Sequence, residues 1–577
     1  MNILLVGINT KYIHTNLAIR ILKQYAAPRC SSRIETAEYT INQYTDDILR
    51  DIYLKKPDMI GFSCYLWNIT FVQVLMDALK KVLPNCVLFV GGPETSFDSA
   101  DVLARTKADF VIRGEGEIPF TQAVLALEKN QSLELIPGIT WRSSTGDIVQ
   151  NPDPSAPIDM ADVPFVYTKE ELPAHQIVYY EATRGCPFSC QYCLSGHNSR
   201  VRFRPLAQVY HDLSFFLSEN VPQVKFVDRT FNCSREYAMA IWTYLREHDN
   251  GITNFHFEMA AELIDQEMIT WLANARPGLF QFEIGVQSTN PETLKAVKRI
   301  TLPDKLTPVI TALKQPQNIH LHLDLIAGLP FEGYNRFKES FNYVYSLSPD
   351  QLQLGFLKLL KGSGLYQSRE EYGLVCRSDA PYEILCTPWI SFDELLRLKR
   401  IAEMVELYYN TMRYRRSLSA LLALFKTPFD CFEALADFYE ENGYHLAPHT
   451  KLENYTILFR FYESISPERA EWFSWLLRFD LYAHEKAKKL PSFMDDGKKA
   501  EYHSQIYAFF DDPHSRDSYL CEYAEMDTRQ IIRSAHIEVF PFNPFTYAPG
   551  DTPVLFNYRR PTFDKNASAF VVTLPCD

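Results

Sequence analysis

The chain has 577 residues, of which 46% are hydrophobic, and it carries a formal net charge of −13. This length exceeds what one hydrophobic core accommodates, so we expect roughly two to four domains. The negative charge argues against broad affinity for nucleic acid, and no apolar run reaches the roughly 18 residues that a membrane span needs.

The first part of the chain, to about residue 128, alternates short apolar runs with amphipathic helical patterns. Continuous apolar strands alternating with helices are typical of parallel sheets covered on both faces. The pattern predicts a doubly wound, Rossmann-like α/β domain over residues 1–150, closed by a hairpin near its end. The predicted parallel strands are 3–8, 34–39, 59–64, 87–90 and 110–113.

Glycine-rich turns follow two of these strands. The first reads Gly91-Gly92-Pro93-Glu94 and the second reads Gly114-Glu115-Gly116-Glu117. Ligands of parallel sheets bind beyond the carboxyl ends of the strands, and glycine lets the backbone approach a flat ligand closely. Either turn alone is explained by a tight strand-to-helix connection. Two such turns on one rim favour a ligand site.

A proline-rich stretch, residues 151–175, follows this domain. Proline at this density stiffens an extended chain, so the stretch predicts a linker. We expect a second domain over residues 176–365 and a third over residues 366–577.

Three cysteines near the start of the second domain, Cys186, Cys190 and Cys193, have the spacing C-x3-C-x2-C. Three thiolates on one loop can hold three irons of a [4Fe–4S] cube and leave the fourth iron open. Electron-transfer clusters ordinarily have four cysteine ligands, so three ligands favour chemistry at the cluster. The alternative is a Cys3His zinc site completed by His197. It is weaker because structural zinc sites are usually built from paired C-x2-C knuckles, and the sequence has no second one.

The compartment is predicted from cysteine usage and from the first residues. The 12 cysteines are scattered along the chain, and Met1-Asn2-Ile3-Leu4 leads into a strand without a preceding basic segment. Both features favour a reducing, cytoplasmic location.

The second domain repeats the alternation of strands and helices. Six strand–helix units predict a partial (β/α)6 barrel with its active site at the carboxyl ends of the strands. The predicted strands are 177–182, 224–228, 255–260, 279–285, 320–326 and 352–359.

Two polar residues on the fifth strand of this series, His322 and Asp324, alternate and therefore point to the same face. Buried polar groups need partners or a function. Substrate binding, proton relay and a satisfied core network all fit this pair.

The last domain is rich in tyrosine, phenylalanine and leucine and shows long helical patterns, so it is predicted to be mostly helical. Its cysteines lack the spacing of metal knuckles, and we expect no second cluster there. These cysteines are Cys376, Cys386, Cys431, Cys521 and Cys576.

The cysteine motif, with Tyr192 before its last cysteine, resembles the signature of the radical S-adenosylmethionine (SAM) enzymes. The two glycine-rich turns, in the same order, resemble the cobalamin (B12)-binding domain that precedes the radical SAM domain in one branch of that family (class B-like). The C-terminal domain resembles an uncharacterised helical extension found behind such pairs, and it is expected to cap the barrel.

The resemblance implies three cofactors: a [4Fe–4S] cluster, SAM and cobalamin. In that family the open iron binds SAM, and one electron cleaves SAM to a 5′-deoxyadenosyl radical. Cys186, Cys190 and Cys193 are then the cluster ligands and the catalytic centre. The remaining implied cofactor contacts are Gly91, Gly92, Glu94, Gly114, Glu115, Gly116 and Glu117 for cobalamin, and Asp228, Glu258, Glu262, Gln287 and Ser288 around SAM.

One departure from many cobalamin domains concerns the lower axial ligand. The Asp-x-His-x-x-Gly motif that supplies a cobalt-binding histidine is absent, and His14 follows the first strand outside any such motif. We therefore expect cobalamin to bind in a His-off form.

The resemblance implies an enzyme, and we expect C-methylation of an unactivated carbon of a small molecule, with electrons from a donor such as flavodoxin or ferredoxin. Radical rearrangement or cyclisation without methyl transfer is an alternative. RNA modification is another, disfavoured because the C-terminal domain is acidic rather than basic. The last alternative is a regulatory protein that binds these cofactors without catalysing a reaction.

Overall fold

The computed structural model describes all residues except 174, 198–199, 300–302, 495–497, 499–500, 563–565 and 576–577, and describes residues 196 and 197 without their side chains. The imidazole of His197 and the thiol of Cys576 therefore lie outside the described part. The chain forms two compact units. Unit 1 comprises Met1–Tyr334 and Gly355–Phe392, and unit 2 comprises Asn335–Leu354 and Asp393–Asp577.

The N-terminal part of unit 1 is a seven-stranded sheet with the order β2-β1-β3-β4-β5-β6-β7. The first five strands are parallel, and the hairpin β6–β7 adds to the edge in antiparallel fashion. The strands are β1 (Asn2–Asn9), β2 (Arg33–Thr40), β3 (Met59–Ser63), β4 (Val87–Gly91), β5 (Phe110–Ile112), β6 (Ile139–Arg142) and β7 (Ile148–Gln150).

Helices cover both faces of this sheet, and each face has its own apolar core. The doubly wound prediction is confirmed. The chain order reverses beside β1, which has β2 on one side and β3 on the other, and such a switch point opens a crevice for ligands. The helices are α1 (Leu17–Ala26), α2 (Thr45–Leu54), α3 (Ile69–Val82), α4 (Pro93–Ser96), α5 (Ser99–Arg105) and α6 (Glu117–Glu128).

A six-stranded sheet with the order β15-β14-β13-β12-β11-β8 follows, as predicted for a partial barrel. Its strands belong to the second part of unit 1, except that the first four residues of the edge strand β15 are assigned to unit 2. A small antiparallel ribbon, β9–β10, flanks the cysteine loop. The strands are β8 (Val178–Tyr180), β9 (Thr183–Arg184), β10 (Arg202–Phe203), β11 (Gln223–Phe226), β12 (Asn254–Met259), β13 (Phe280–Gln287), β14 (Ile319–Ala327), β15 (Gln351–Phe356), β16 (Val375–Cys376) and β17 (Ile384–Cys386).

Alternation along these strands separates an apolar face from a polar face. On β12, Phe255 and Phe257 are fully buried and pack among aromatic side chains, whereas His256 and Glu258 point to the other face. The polar face is the inner face of the barrel, where the candidate site lies. The helices of this part are α7 (Leu206–Ser218), α8 (Arg235–Glu247), α9 (Gln266–Leu272), α10 (Pro291–Ala296), α11 (Pro303–Lys314) and α13 (Gly364–Gln367), with α12 (Tyr334–Ser346) between β14 and β15 in the chain.

Unit 2 is mostly helical, as predicted, but it also contains a three-stranded antiparallel sheet that the sequence analysis did not predict. Among the described helices, none combines the length and apolar character that a membrane span requires. The elements are α14 (Phe392–Met404), which continues as a π-helical turn (Val405–Asn410), α15 (Arg415–Leu422), α16 (Pro428–Glu441), α17 (Lys451–Ile465), α18 (Ala470–His484), α19 (His503–Asp511), α20 (Pro513–Tyr519), α21 (Thr528–Ser534), β18 (His536–Phe542), β19 (Pro549–Pro561) and β20 (Ala567–Val571).

Candidate active site

The three cysteines of the motif lie on the loop after β9. Cys186 and Cys190 are buried, Cys193 is partly buried, and all three are free thiols. The loop is fixed by backbone hydrogen bonds at Gln191, whose N–H donates to Val297 O (2.9 Å) and whose carbonyl accepts from Leu365 N–H (2.8 Å). The thiols are thus held on an ordered loop.

Each sulfur has a polar neighbour. Ser195 N–H donates to Cys193 Sγ (3.4 Å), Thr230 Oγ1 lies 3.4 Å from Cys186 Sγ, and Arg299 Nη1 lies 3.9 Å from Cys190 Sγ. Donors and a positive charge beside thiolates stabilise cluster ligands and tune the cluster potential. The donor set therefore fits a [4Fe–4S] cluster.

A second arginine lies between the cysteine loop and the inner face of the barrel. The side chain of Arg229 is solvent-accessible, yet it is surrounded by protein groups. Loss of hydration among these groups lowers the pKa of Arg229. The nearby Glu258 and the thiols of Cys193 and Cys186 outweigh this effect, so the pKa is raised overall. Arg229 thus brings positive charge to the space between the triad and Glu258.

The acidic second turn of the N-terminal sheet contacts the arginines that flank the cysteine loop. Glu117, at the start of α6, accepts a hydrogen bond from Arg184 (2.6 Å), and Glu115 pairs with Arg202. Arg184 also pairs with Glu181. The Glu117 side chain is only 4% exposed, so this is a largely buried ionic contact.

The first turn is explained in part by packing within the N-terminal domain. Gly92 has φ 116°, and a Cβ there would lie 2.5 Å from Cys64 O, so the turn requires glycine where it abuts β3. Glu94 contacts the hydroxyl of Tyr382, and burial raises the pKa of Glu94. Gly114 also has a positive φ, but a Cβ there would meet no atom within 4 Å. The second turn therefore borders open space.

Asp228 follows β11 and is completely buried. Its Oδ2 accepts a hydrogen bond from Ala182 N–H (3.1 Å), just before the ribbon that leads to Cys186. Burial raises the pKa of Asp228 to about 7. This carboxyl therefore anchors the backbone that carries the cysteine loop.

The residues expected around SAM lie at the ends of β12 and β13. Burial raises the pKa of Glu258 to about 7, although Arg229 opposes the shift. Gln287 has φ 69°, an unusual value for a side chain other than glycine, and within the described chain its buried Oε1 has no hydrogen-bond partner. Ser288 Oγ donates to Glu332 Oε1 (2.6 Å). Glu262 lies in the 3-10 turn Ala261–Leu263 directly after β12.

Three family models match the chain. They are the B12 binding domain over residues 3–124, the radical SAM superfamily over residues 180–344, and a protein family of unknown function (DUF4080) over residues 370–556.

The chain is a radical SAM enzyme with a B12-binding domain. The expected resemblance is thereby confirmed, and so are its cofactors: a [4Fe–4S] cluster and SAM for the radical SAM domain, and cobalamin for the B12-binding domain.

Relatives of the radical SAM enzyme include methyltransferases. An uncharacterized methyltransferase of Pyrococcus horikoshii is 24% identical over 350 residues, which cover 56% of this chain and 71% of the relative. The hopanoid C-3 methylase of Methylococcus capsulatus is 31% identical over 278 residues, covering 44% of this chain and 50% of the relative. The chain thus spans only half the length of the second relative.

The same fold is found in the solved structure of OxsB, a cobalamin-dependent SAM radical enzyme, with aqua-cobalamin and SAM bound. It has a TM-score of 0.58 and 15% identity, and the match covers 87% of this chain and 82% of OxsB. At this identity the likeness concerns the fold.

Several residues of the radical SAM enzyme's site were not found from the sequence. Arg299 lies far from Cys190 in the chain, and Glu332 lies far from Ser288, so no local motif links them. Arg229 and Thr230 directly follow Asp228, in a segment where the sequence placed the site without assigning these two residues a role. His14, by contrast, was singled out in the sequence, and its Nδ1 lies 2.7 Å from the hydroxyl of Tyr179 on β8.

Proposed function

We propose that this enzyme methylates an unactivated carbon of a small molecule, using its cluster, SAM and cobalamin. The observation that carries the proposal is the contact between the B12-binding domain and both flanks of the cysteine loop, through Glu117–Arg184 and Glu115–Arg202. This contact supports a shared reaction space for the two cofactors. A flavodoxin or ferredoxin is the proposed electron donor.

The bound cofactors supply a 5′-deoxyadenosyl radical and a methyl carrier, which an inert C–H bond requires because it offers no acid–base handle. The protein's contribution is position and environment. Cys186, Cys190 and Cys193 hold the cluster, and Arg299 places positive charge beside one sulfur.

The ends of β12 and β13 provide the polar groups proposed to orient SAM. Near neutral pH the Glu258 carboxyl is balanced between its acid and its carboxylate, because burial raises its pKa to about 7. Both forms can accept hydrogen bonds from ribose hydroxyls. The Ser288–Glu332 hydrogen bond fixes the loop after β13, and the strained Gln287 presents an amide oxygen without a partner in the described chain.

The test is the fate of SAM under anaerobic, reducing conditions. Cys190→Ala should abolish formation of 5′-deoxyadenosine, because the cluster loses a ligand. Cys233→Ala is the matched control: this partly buried thiol lies near Cys186 but outside the motif, and the variant should retain SAM cleavage. Cleavage that persists in Cys190→Ala would refute the assignment.

The products then separate methylation from other radical chemistry. Methylation of a substrate produces S-adenosylhomocysteine together with 5′-deoxyadenosine, whereas rearrangement or cyclisation produces only the latter. Formation of 5′-deoxyadenosine alone with a converted substrate would leave the radical SAM assignment intact and overturn methyl transfer.

A further inference from the structure

The inner face of the barrel carries a cluster of ionisable side chains distinct from the cysteine loop. Glu283 on β13 lies directly opposite His322 on β14, and Asp324 lies two residues further along β14. The donor atoms of these three residues all lie within 4.8 Å of one another. The alternate residues of β14, Leu321 and Leu323, are fully buried on the opposite face.

The contact between His322 and Asp324 is short but poorly aligned for a hydrogen bond. His322 Nε2 and Asp324 Oδ1 are 3.0 Å apart, but both atoms are buried and neither has a hydrogen-bond partner in the described part of the chain. The His322 side chain is only 8% exposed. An imidazole nitrogen this close to a carboxylate, yet not aligned with it, directs its lone pair or proton elsewhere.

A separation of 3.0 Å suits an ion pair, and it equally suits two ligands of a common metal ion that lie at right angles, as in octahedral coordination. Two donor atoms at right angles, each about 2.1 Å from an ion, are about 3.0 Å apart. An imidazole nitrogen and two carboxylates are a donor set suited to divalent first-row ions such as Mn²⁺, Fe²⁺ and Zn²⁺.

The third residue is held by neighbours in the manner of a metal ligand. Lys225 Nζ donates to Glu283 Oε2 (3.0 Å). His256 Nε2 lies 3.0 Å from the same oxygen but, like His322 Nε2, has no hydrogen-bond partner among the described residues. Ligating carboxylates are typically oriented by such partners on their second oxygen. Lys225 on β11 and His256 on β12 lie directly opposite each other, because these two strands are neighbours in the sheet.

We propose that Glu283, His322 and Asp324 bind a divalent first-row transition-metal ion inside the barrel, in addition to the cluster iron. Three protein ligands leave open coordination positions on such an ion. These positions would take an oxygen or nitrogen donor of the substrate and orient the carbon that reacts. This last step rests on the proposed function, whereas the metal site itself does not.

The site adjoins the space served by the cysteine loop. Glu258, on β12 opposite Glu283, is influenced both by Arg229 and by Glu283 and Asp324. Arg229 in turn lies near the thiols of Cys186 and Cys193. A substrate bound to the ion would therefore lie on the side of the barrel where the radical is made.

The experiment is metal binding by the cluster-loaded, full-length protein without SAM or substrate. Free Mn²⁺ is followed by electron paramagnetic resonance, and Zn²⁺ is followed by mass spectrometry after dialysis. The wild-type chain should bind one ion tightly. His322→Asn and Asp324→Asn should weaken binding by more than the roughly 10–100-fold that follows loss of an outer-shell partner. His320→Asn, on the same strand and face, is the matched control and should bind like wild type.

Circular dichroism and the cluster absorption establish that each variant is folded, and Glu283→Gln replaces any variant that is not. Absence of a stoichiometric site for both ions, or equal binding by wild type and the ligand variants, would overturn the proposal. Neither readout involves SAM cleavage, so failure here is distinguishable from failure of the proposed methylation.

Discussion

At the scale of single residues, burial decides the charge state of the carboxyl groups around the cysteine loop. Asp228 and Glu258 are both shifted to a pKa of about 7, whereas the pKa of Glu283 lies well below its usual range because His256 and Lys225 outweigh its burial. These three carboxyls thus differ in proton affinity because their neighbours differ.

The raised pKa of Asp228 predicts a pH-dependent stability. Between about pH 4 and pH 7 the unfolded carboxyl ionises while the native one stays protonated, so the native state holds more protons and loses stability as pH rises. A shift from 3.8 to about 7 corresponds to at most about 4 kcal/mol. Asp228→Asn, which keeps an acceptor for Ala182 N–H, should remove this loss.

Urea unfolding of cluster-free wild type and Asp228→Asn at about pH 5 and pH 8 measures the effect. From pH 5 to pH 8 the free energy of unfolding of the wild type should fall by about 2–3 kcal/mol more than that of the variant. This follows from about 1.4 kcal/mol per pKa unit. A difference between the two proteins that is the same at both pH values would contradict the prediction.

At the scale of elements, the start of helix α6 is joined to the β9–β10 ribbon by the Glu117–Arg184 pair. A carboxylate in the first turn is favoured by the helix dipole, and Arg184 is 14% exposed in its side chain. Arg184→Met removes the charge partner of the buried Glu117 and should lower the free energy of unfolding by about 3–5 kcal/mol.

A double-mutant cycle isolates this contact. Adding Glu117→Gln to Arg184→Met should recover part of the loss, because no unpaired buried carboxylate remains. The comparison is Lys81→Met, which breaks the exposed pair with Asp77 on α3 and should cost less than about 1 kcal/mol. Purely additive losses in the cycle would show that Glu117 and Arg184 are not coupled.

The strands that the sequence predicted are those whose apolar runs are buried on one or both faces. β1 and β14 were predicted within one residue at each end, since their patterns depend on local composition alone. The contacts of Arg299 with Cys190 and of Lys225 with Glu283 depend on strand register and on loops that close over long sequence separations. No pattern in a single sequence specifies such long-range contacts. The β18–β20 sheet was missed because the helical prediction for the preceding part of the domain was extended to the end of the chain.

At the scale of the whole molecule, three families occur in one chain, and the first two predict a defined cofactor content. Protein purified without oxygen from cobalamin-supplied cells should contain about four irons and one cobalt per chain, because three thiolates hold one cube. Mass spectrometry of iron and cobalt, with absorption spectroscopy of the corrinoid, measures this cofactor content. Co(II) electron paramagnetic resonance without nitrogen superhyperfine splitting is expected as well, since the sequence lacks the Asp-x-His-x-x-Gly motif that supplies a cobalt-binding histidine.

Four irons without cobalt would preserve the radical SAM assignment and remove methyl transfer through cobalamin, because the N-terminal sheet would then serve another ligand.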